Sequence, residues 1–496
     1  MAAPRSARLL SARTIVAALA LVAMALGAWM LHRDRAGLSV ERIALAGTPV
    51  TLTRPAGASD LPLVVVAHGY AGSRQMMRAF ARSLARAGLA VASYDALGHG
   101  RNPVPLSGDL TRIEGATERL VEQAVAVTRA ALDRPGIAGP VALLGHSMAT
   151  DVVVRAAPRV DAAAVVAVSM YSEAVTPDDP ARLLILSGAT EARLRDAALD
   201  AVHLVEPQAV EGRTVAAGDV ARRAVAVPWV GHVGVLYAAA SQREAADWIA
   251  PALGASGAVA PSPYAVWASV LLAGATALAW PLAGLAGPRR PRAERLPRRT
   301  AWLVALAPVP AAFAAAWIAP ERVGGLLGFA PLAAVLLVWG TVQAAILWRA
   351  GIRPAWPAPR ALAVLLAWGL LFAGALDRFG ASFWPTGPRL WILALLLPGT
   401  LAVMACDAAL ARRGGWLVRL APRAALVATL LAAMILVPSK GVAFTVLPVL
   451  VLFWLVHGTA GHWVLRRGNA ASVGLALGVW LAWAIAASTP LVAGVP

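Results

Sequence analysis

Three hydrophobic patterns follow one another along this chain. Residues 14–31 form an uncharged apolar run, long enough for a helix to cross a bilayer. Residues 40–252 alternate short β-branched runs with amphipathic stretches, which is typical of an α/β domain. From residue 264 onward, long apolar runs return, separated by short connections that contain arginine. The pattern predicts a membrane helix at residues 1–39, an α/β domain at 40–252, a linker at 253–263 and a helical membrane domain at 264–496.

The middle region has the signature of a buried sheet. Runs such as LVVVA, VALLG and RLLILS are apolar on both faces, as strands covered by helices on both sides require. We therefore predict an α/β fold with a mostly parallel, doubly wound sheet. The predicted strands are 42–53 (a hairpin through Ala46-Gly47), 62–67, 89–94, 140–145, 162–169, 182–187 and 224–229. The predicted helices are 73–87, 114–133, 148–157, 191–200 and 236–252.

The last region predicts an all-α polytopic membrane domain of about eight spans. With the first run this makes nine, of which 361–376 is short and the 424–464 pair around Pro438-Ser439-Lys440 has a re-entrant alternative. The eight predicted spans are 264–286, 301–319, 324–348, 361–376, 390–411, 424–438, 441–464 and 471–493.

Arginine counts in the connections predict the orientation of these spans. The connections at 287–300, 349–360, 412–423 and 465–470 hold fifteen Arg, whereas the opposite ones hold only four Lys or Arg. Because basic residues concentrate in cytoplasmic loops, the first set is expected inside. The α/β domain is then extracytoplasmic, on a bacterial-type inner membrane.

The first apolar run is preceded by Arg5, Arg8 and Arg13, which places the N-terminus in the cytoplasm. A signal peptide and a signal anchor share this layout. The run is longer than a usual signal core, and Ala23-Met24-Ala25 offers only a cleavage site embedded within it. We expect an uncleaved anchor, with cleavage as the alternative.

Composition excludes several classes of protein. Hydrophobic residues make up 59% of the chain and charged residues 14%, which does not fit an ordinary soluble protein. Most of the net charge of +18 lies in residues 261–496, where 19 Lys and Arg face four acids, and this distribution disfavours nucleic-acid binding. The single cysteine, Cys406, excludes a disulfide within the chain and a cysteine-based zinc site. No metal spacing or phosphate loop is present, so we expect no cofactor.

The stretch GPVALLGHSMAT, residues 139–150, carries the clearest chemical signal. An apolar run ends in Gly145-His146-Ser147-Met148-Ala149, and a helix is predicted to start at once. A serine on such a sharp strand-to-helix turn presents its hydroxyl above the sheet, and small residues two positions before and after let the turn close. Ser147 is therefore the candidate nucleophile, with a helix N-cap as its structural alternative.

A base and an acid follow in the chain order expected for this turn. RLLILSGATE ends a strand and delivers Glu191, and AVAVPWVGH ends the next strand and delivers His232. A serine needs such a base to become nucleophilic, and the imidazole needs a carboxylate to orient it. Glu173 also follows a strand and stays open as the alternative acid.

A second candidate loop follows the strand at 62–67 and reads His68-Gly69-Tyr70-Ala71-Gly72-Ser73. Its glycines let the backbone approach a substrate oxygen. The backbone amides of Tyr70 and Met148 are the expected oxyanion donors, with His68, Gly69, Gly145 and Ala149 as supporting turn residues.

Together, HGYAGS, YDALGHGRN (94–102) and GHSMA resemble the α/β-hydrolase superfamily, in its monoacylglycerol-lipase-like and S33 peptidase-like branches. The resemblance covers about residues 40–252. It implies Ser147 as nucleophile, His232 as general base, Glu191 as orienting acid, and the amides of Tyr70 and Met148 as the oxyanion hole. Two departures from the family pattern are Ala149 in place of Gly and Glu191 in place of the commoner Asp.

Other polar residues have structural interpretations. Asp95 and His99 are expected to brace the turn after the strand at 89–94. Asp407, inside an apolar run, is expected to pair with or reach toward Arg412 and Arg413. Only about a dozen residues separate the strands at 162–169 and 182–187, which leaves no room for a large helical cap, so the site is expected to be open.

The sequence favours a membrane-bound serine hydrolase that acts on a small-molecule or lipid acyl substrate at the bilayer surface. Two alternatives remain: a transporter or assembly protein with a degenerate, hydrolase-like sensor domain, and a membrane acyltransferase that uses the same triad. The substrate and the oligomeric state are not determined by these patterns.

Overall fold

The structure, a computed structural model, describes residues 11–109, 112–291, 293–437 and 443–494. The described residues divide into two compact units. The described residues of 30–267, 378–382 and 488–494 form the α/β unit, and those of 11–29, 268–377 and 383–487 form the helical unit.

A nine-stranded mixed sheet forms the centre of the α/β unit, in the order β1-β2-β4-β3-β5-β6-β7-β9-β8. The neighbouring pairs from β4 to β9 are parallel, and the pairs β1–β2, β2–β4 and β8–β9 are antiparallel. This confirms the predicted α/β class with a mostly parallel sheet. The strands are β1 Leu38–Leu45, β2 Thr48–Pro55, β3 Leu61–Ala67, β4 Ala90–Tyr94, β5 Ile137–His146, β6 Ala162–Val168, β7 Arg182–Gly188, β8 Thr214–Ala217 and β9 Val220–Val227.

Helices cover both faces of this sheet, which explains the uninterrupted apolar strands. Along β3, Leu63 and Val65 belong to one hydrophobic core, whereas Val64 and Val66 belong to the other. Helices α3, α4 and α5 complete the first core, and α2 and α6 complete the second. The central strands must therefore be apolar on both faces. The helices are α1 Ala12–Arg33, α2 Arg78–Arg86, α3 Glu118–Leu132, α4 Ala149–Ala156, α5 Ala192–His203 and α6 Ala239–Ala252.

The edge of the sheet differs from the prediction. The last central strand is β9, four residues earlier than the predicted 224–229, and it pairs with β8, which the sequence pattern did not indicate. Three of the four residues of β8 are exposed, so the strand has almost no apolar signature. Gly218, with φ of 56°, makes the tight turn between the two strands.

Among the described residues, nine helices or helix pairs are long and apolar enough to cross a membrane. The predicted span at 361–376 is longer in the structure, as the helix Pro359–Phe379. The predicted span at 424–438 begins eight residues earlier, at Trp416, so only Gly414 and Gly415 connect it to the preceding helix. Arg5, Arg8, Arg292 and Lys440 lie outside the described residues. The remaining helices are α7 Tyr264–Leu282, α8 Arg298–Leu306, α9 Pro308–Ile318, α10 Phe329–Arg349, α11 Pro359–Phe379, α12 Pro388–Arg413, α13 Trp416–Leu436, α14 Ala443–Leu465 and α15 Ala470–Ser488.

A buried carboxylate holds together the two ends of the α/β unit's main segment. Asp34 accepts hydrogen bonds from Arg82 at 2.5 Å, from Arg86 at 2.6 Å and from the Ser262 hydroxyl at 2.5 Å. A buried charge is tolerated when it is paired and hydrogen-bonded in this way. Asp34 follows the first apolar helix and Ser262 precedes the second, so both connections meet at one point of this unit.

Candidate active site

Ser147 lies on a sharp turn between β5 and α4. Its φ is 53°, a left-handed conformation that is uncommon for a residue with a side chain, and its N–H donates to the Val168 carbonyl at 2.8 Å. Gly145 is required for this geometry, because a Cβ there would lie 2.4 Å from the Ala149 carbonyl oxygen. Ala149 itself is buried, so its methyl group is accommodated at the start of the helix. The turn therefore has the strand-to-helix geometry expected from the sequence.

Three side chains form a hydrogen-bonded series at the carboxyl ends of the strands. His232 Nε2 lies 3.0 Å from Ser147 Oγ, and His232 Nδ1 lies 2.6 Å from Glu191 Oε1. Glu191 follows β7 and His232 follows β9, which are neighbouring parallel strands, so their loops meet at one edge of the sheet. The two loops touch: a Cβ on Gly188 would lie 2.6 Å from the Val230 carbonyl oxygen.

The second oxygen of Glu191 is held by two further donors. The Gly188 N–H donates to Oε2 at 2.6 Å and the Ser169 hydroxyl donates to it at 2.8 Å. The Glu191 side chain is 8% exposed, whereas that of His232 is 46% exposed. A carboxylate fixed in this way offers its other oxygen to the imidazole in a defined direction. Sequence reasoning did not single out Ser169, whose only signal is its place directly after β6.

Glu173, the alternative acid, lies elsewhere. Its side chain is exposed, and its Oε1 accepts a long hydrogen bond of 3.4 Å from the Tyr171 hydroxyl. Among the described residues, the carboxylate that contacts His232 is Glu191.

The loop at 68–72 lies directly beside Ser147. A Cβ on Gly69 would be 3.0 Å from the Ser147 Cβ and 2.8 Å from His146 Nδ1, so only glycine fits there. The Gly72 N–H donates to the Gly69 carbonyl at 3.0 Å and closes the loop into a tight turn. Within the described residues, neither the Tyr70 nor the Met148 backbone N–H donates to a protein acceptor.

His68 holds this loop in place from behind. The Ala96 N–H donates to His68 Nε2 at 3.1 Å, so the ring carries its proton on Nδ1 and donates it to the Gly69 carbonyl at 2.8 Å. The ring is buried, and this burial lowers the pKa of His68. A neutral imidazole is required for this pair of bonds, and burial favours it.

His146 contacts both the ring and the backbone carbonyl of His232. Its Nε2 donates to the His232 backbone carbonyl at 2.9 Å, and the two ring centroids are 4.9 Å apart. Burial lowers the pKa of His146 to about 4, so the ring stays neutral near His232 and adds no competing positive charge. The sequence placed His146 inside the turn motif but did not assign it this contact.

Asp95 and His99 brace the turn after β4, as expected. The Asp95 carboxylate pairs with the Arg74 guanidinium and accepts the Arg74 N–H at 2.8 Å and the Arg101 N–H at 3.0 Å. His99 lies on the same turn, with its Nδ1 2.7 Å from the Leu97 carbonyl oxygen. The Tyr70 ring stacks edge-on against His99 with centroids 5.2 Å apart, which connects this turn to the loop beside Ser147.

Exposed aromatic side chains border the site. Trp229, three residues before His232, is 97% exposed, and Tyr171 is 65% exposed. The Tyr171 N–H donates to Thr150 Oγ1 at 3.1 Å, and that hydroxyl donates to the Ser147 carbonyl at 2.6 Å, so Tyr171 lies close to the turn. Residues 169–181, all described, contain no helix. The mouth of the site is therefore open and partly apolar.

In the helical unit, the expected partner of Asp407 was wrong. Its two carboxylate oxygens accept from Arg423 at 2.7 Å each, on the following helix. Arg412 instead donates to the backbone carbonyls of Leu465 and Gly468. Among the described residues, no group of three His, Cys, Asp or Glu side chains could hold a metal ion.

Comparisons with known proteins give one family match and several similar solved structures. Residues 59–217 match the family model described as serine aminopeptidase, S33. No curated protein matches the chain. Solved structures similar to it include a Thermus thermophilus protein (22% identity, 44% of this chain and 99% of that one, TM-score 0.32), a dienelactone hydrolase from Anabaena variabilis (20%, 43% and 97%, 0.33) and a hormone-sensitive-lipase homologue from a metagenome library (17%, 49% and 99%, 0.33).

Similarity at these identities does not bear on activity or substrate. The family match and the sheet order agree with each other over the same part of the chain. Residues 59–217 are therefore an S33-like α/β hydrolase, followed in this chain by a C-terminal region of many long apolar helices.

Proposed function

We propose that this protein is a membrane-bound serine hydrolase that cleaves an acyl ester, or a related acyl substrate, through Ser147, His232 and Glu191. The observation that carries the proposal is the continuous hydrogen-bonded series from Ser147 Oγ through both imidazole nitrogens to the Glu191 carboxylate. A serine hydroxyl becomes nucleophilic when a base accepts its proton, and the base needs an acid to fix its tautomer and stabilise its cation.

The proposed reaction follows from the position of each donor and acceptor. Ser147 Oγ attacks the acyl carbonyl carbon while its proton moves to His232 Nε2, and Glu191 stabilises the imidazolium through Nδ1. The unpaired N–H groups of Tyr70 and Met148 are the donors available for the oxyanion that forms. The imidazolium then gives its proton to the leaving alcohol, and water activated by His232 releases the acyl group from Ser147.

The proposed substrate class is acyl esters with an apolar acyl or alkyl part. Three exposed aromatic residues on the loops that carry the site support it: Tyr70 follows Gly69, Tyr171 is hydrogen-bonded to Thr150, and Trp229 precedes His232 by three residues. Lipid substrates are favoured by the tether: the candidate membrane spans hold the catalytic unit at a bilayer. We also propose that this unit is extracytoplasmic, on a bacterial-type inner membrane, from the distribution of arginine in the connections.

Activity-based labelling tests the proposal. Full-length protein in membranes is treated with a fluorophosphonate probe, which reacts with activated serines. We expect wild type to label, and Ser147→Ala and His232→Ala to lose labelling together with hydrolysis of p-nitrophenyl acyl esters by about 10⁴-fold or more. Ser59→Ala, at an exposed serine far along the chain from Ser147, serves as the matched control and should label like wild type.

Two results would contradict the proposal. One is a folded wild type that neither labels nor cleaves any acyl ester, which would favour a sensor role for the α/β unit. The other is unchanged labelling of Ser147→Ala. A third result would identify an acyltransferase that uses the same residues. In that case hydrolysis would be slow, and transfer of the acyl group to an added alcohol or amine would be fast.

A further inference from the structure

A strongly basic cavity of about 530 Å³ lies at one end of the helical unit, and we call it the arginine cavity. Seven arginine side chains and His462 line it. They come from three separate parts of the chain, at residues 289–295, 412–419 and 462–466. No carboxylate is found among the described residues that line it. The described residues that line the cavity therefore carry positive charge and no negative charge.

The internal contacts of these arginines leave donors free. Arg412 is used structurally, because it donates to the carbonyls of Leu465, Gly468 and Pro291. Arg419 Nε is buried and has no hydrogen-bond partner, and within the described residues the Arg413 side chain makes no hydrogen bond. A buried donor without a partner is costly unless a ligand or solvent supplies the acceptor.

Two acids lie close to this group in sequence, and neither lines the cavity. Glu294, between Ala293 and Arg295, is exposed. Asp407 binds Arg423 through both oxygens, with distances of 2.7 Å to Nε and to Nη2. In a bidentate pair of this kind, each carboxylate oxygen accepts a hydrogen bond from the same guanidinium. Among the described residues, the lining of the arginine cavity thus contains arginines and no acid, and an external anion is the group that it fits.

A second cavity of about 600 Å³ adjoins the first, and we call it the apolar cavity. The two share Arg290, Arg412 and Arg413. The rest of the apolar cavity is formed mainly by side chains from α10, α12 and α15, including Leu347, Trp348 and Leu475. A cationic compartment that opens beside an apolar one matches a molecule with an anionic head and a hydrocarbon chain.

Residues from all four connections that the arginine count assigns to one side of the membrane line the two cavities. Residues 289–291, 293, 295, 412–416 and 466 line the arginine cavity, and 352–355, 357 and 469–471 line the apolar one. Basic pockets between membrane helices at the cytoplasmic side are suited to the head groups of anionic lipids. A free inorganic anion has no apolar part that could contact the walls of the apolar cavity.

We infer that the arginine cavity and the apolar cavity together bind an anionic phospholipid, with its phosphate among the arginines and an acyl chain along α10, α12 and α15. None of the residues that line the two cavities belongs to the proposed triad, and the inference does not depend on the hydrolase activity.

The test uses purified, delipidated, full-length protein and native mass spectrometry. We expect wild type to bind phosphatidylglycerol at least about tenfold more tightly than phosphatidylcholine with the same acyl chains. Arg413→Gln combined with Arg419→Gln should reduce phosphatidylglycerol binding by about tenfold or more and leave phosphatidylcholine binding unchanged. The control is Arg298→Gln combined with Arg299→Gln, which removes the same charge from exposed positions outside both cavities.

Two further arms identify the ligand class. Inorganic phosphate and glycerol phosphate are tested at matched concentration, and binding as tight as that of the lipid would overturn the lipid assignment in favour of a free anion. Equal loss of phosphatidylglycerol in the cavity variant and the control variant would overturn the site. If the double variant does not fold, Arg295→Gln is measured instead, because Arg295 lines the arginine cavity without a structural hydrogen bond among the described residues.

Discussion

At the scale of single residues, the site depends on a few atoms that have more than one task. Ser147 holds a positive φ, which is costly for a residue with a side chain and persists only where the surroundings impose it. Glu191 accepts from three donors at once, and only one of them is the proposed base. Two further residues hydrogen-bond to the proposed triad: Ser169 to the Glu191 carboxylate and His146 to the His232 backbone carbonyl.

The choice between the two acids gives a prediction. Glu191→Gln keeps the shape of the side chain but removes its charge, so it neither stabilises the imidazolium nor fixes the tautomer. We expect kcat for p-nitrophenyl ester hydrolysis to fall by about 10³- to 10⁴-fold with little change in KM. Glu173→Gln, the matched control at an exposed carboxylate, should stay within about twofold of wild type. A larger loss in Glu173→Gln than in Glu191→Gln would reverse the assignment of the acid.

At the scale of elements, the functional turn depends on how closely α4 packs on the end of β5. Gly145 has no space for a Cβ beside the Ala149 carbonyl, and Gly69 has none beside His146. Both glycines are needed for close approach of backbone to backbone, and neither has a positive φ. At Ala149 the side chain is small enough to remain buried, which is why the departure from the usual glycine is tolerated.

This packing predicts opposite outcomes for two small substitutions. Gly145→Ala adds a methyl group 2.4 Å from a carbonyl oxygen, so α4 must shift and carry Ser147 with it. We expect fluorophosphonate labelling to fall by about tenfold or more, because misplacement of a nucleophile by about 1 Å is costly. Ala149→Gly, which removes a methyl group on the same turn, should keep near wild-type labelling rates. Labelling of Gly145→Ala at the wild-type rate would contradict this prediction, because it would mean that the turn accommodates the methyl group without displacing Ser147.

At the scale of the whole molecule, the chain combines a hydrolase-fold unit with more candidate membrane spans than an anchor requires. A single helix such as α1 is long enough to tether a soluble domain. The additional spans carry uncompensated arginine at one end, where the inferred lipid site lies. A lipid-binding region fused to a proposed acyl hydrolase suggests that both parts act at the same bilayer.

The proposed orientation can be tested with introduced cysteines. The only native thiol, Cys406, is buried, so background labelling by a membrane-impermeant maleimide should be low. Asp219→Cys, at the exposed tip of the β8–β9 hairpin, is expected to label in intact cells. Trp356→Cys, at a position 92% exposed in the connection before α11, is expected to label only after permeabilisation. The reverse labelling pattern would indicate the opposite topology. Equal labelling of both variants in intact cells would contradict the prediction that the two positions lie on opposite sides of the membrane.

Much of the architecture was determined by local sequence pattern. Strands β3, β5 and β7 are apolar on both faces because helices cover both sides of the sheet, and the pattern needs no knowledge of their neighbours. The turn around Ser147 is readable for the same reason, since small residues and the hydroxyl lie within five positions. The membrane spans are visible because hydrocarbon requires a long run of apolar residues.

Only the tertiary structure decided which distant groups meet. Glu173 and Glu191 each follow a strand, and the sequence leaves both open; the packing of the β7 and β9 loops brings Glu191 to His232. Asp407, on α12, pairs with Arg423, on α13, instead of with the arginines five and six residues later on its own helix. The arginine cavity likewise joins residues far apart in the chain. Such pairings depend on the order and packing of elements, which local periodicity does not encode.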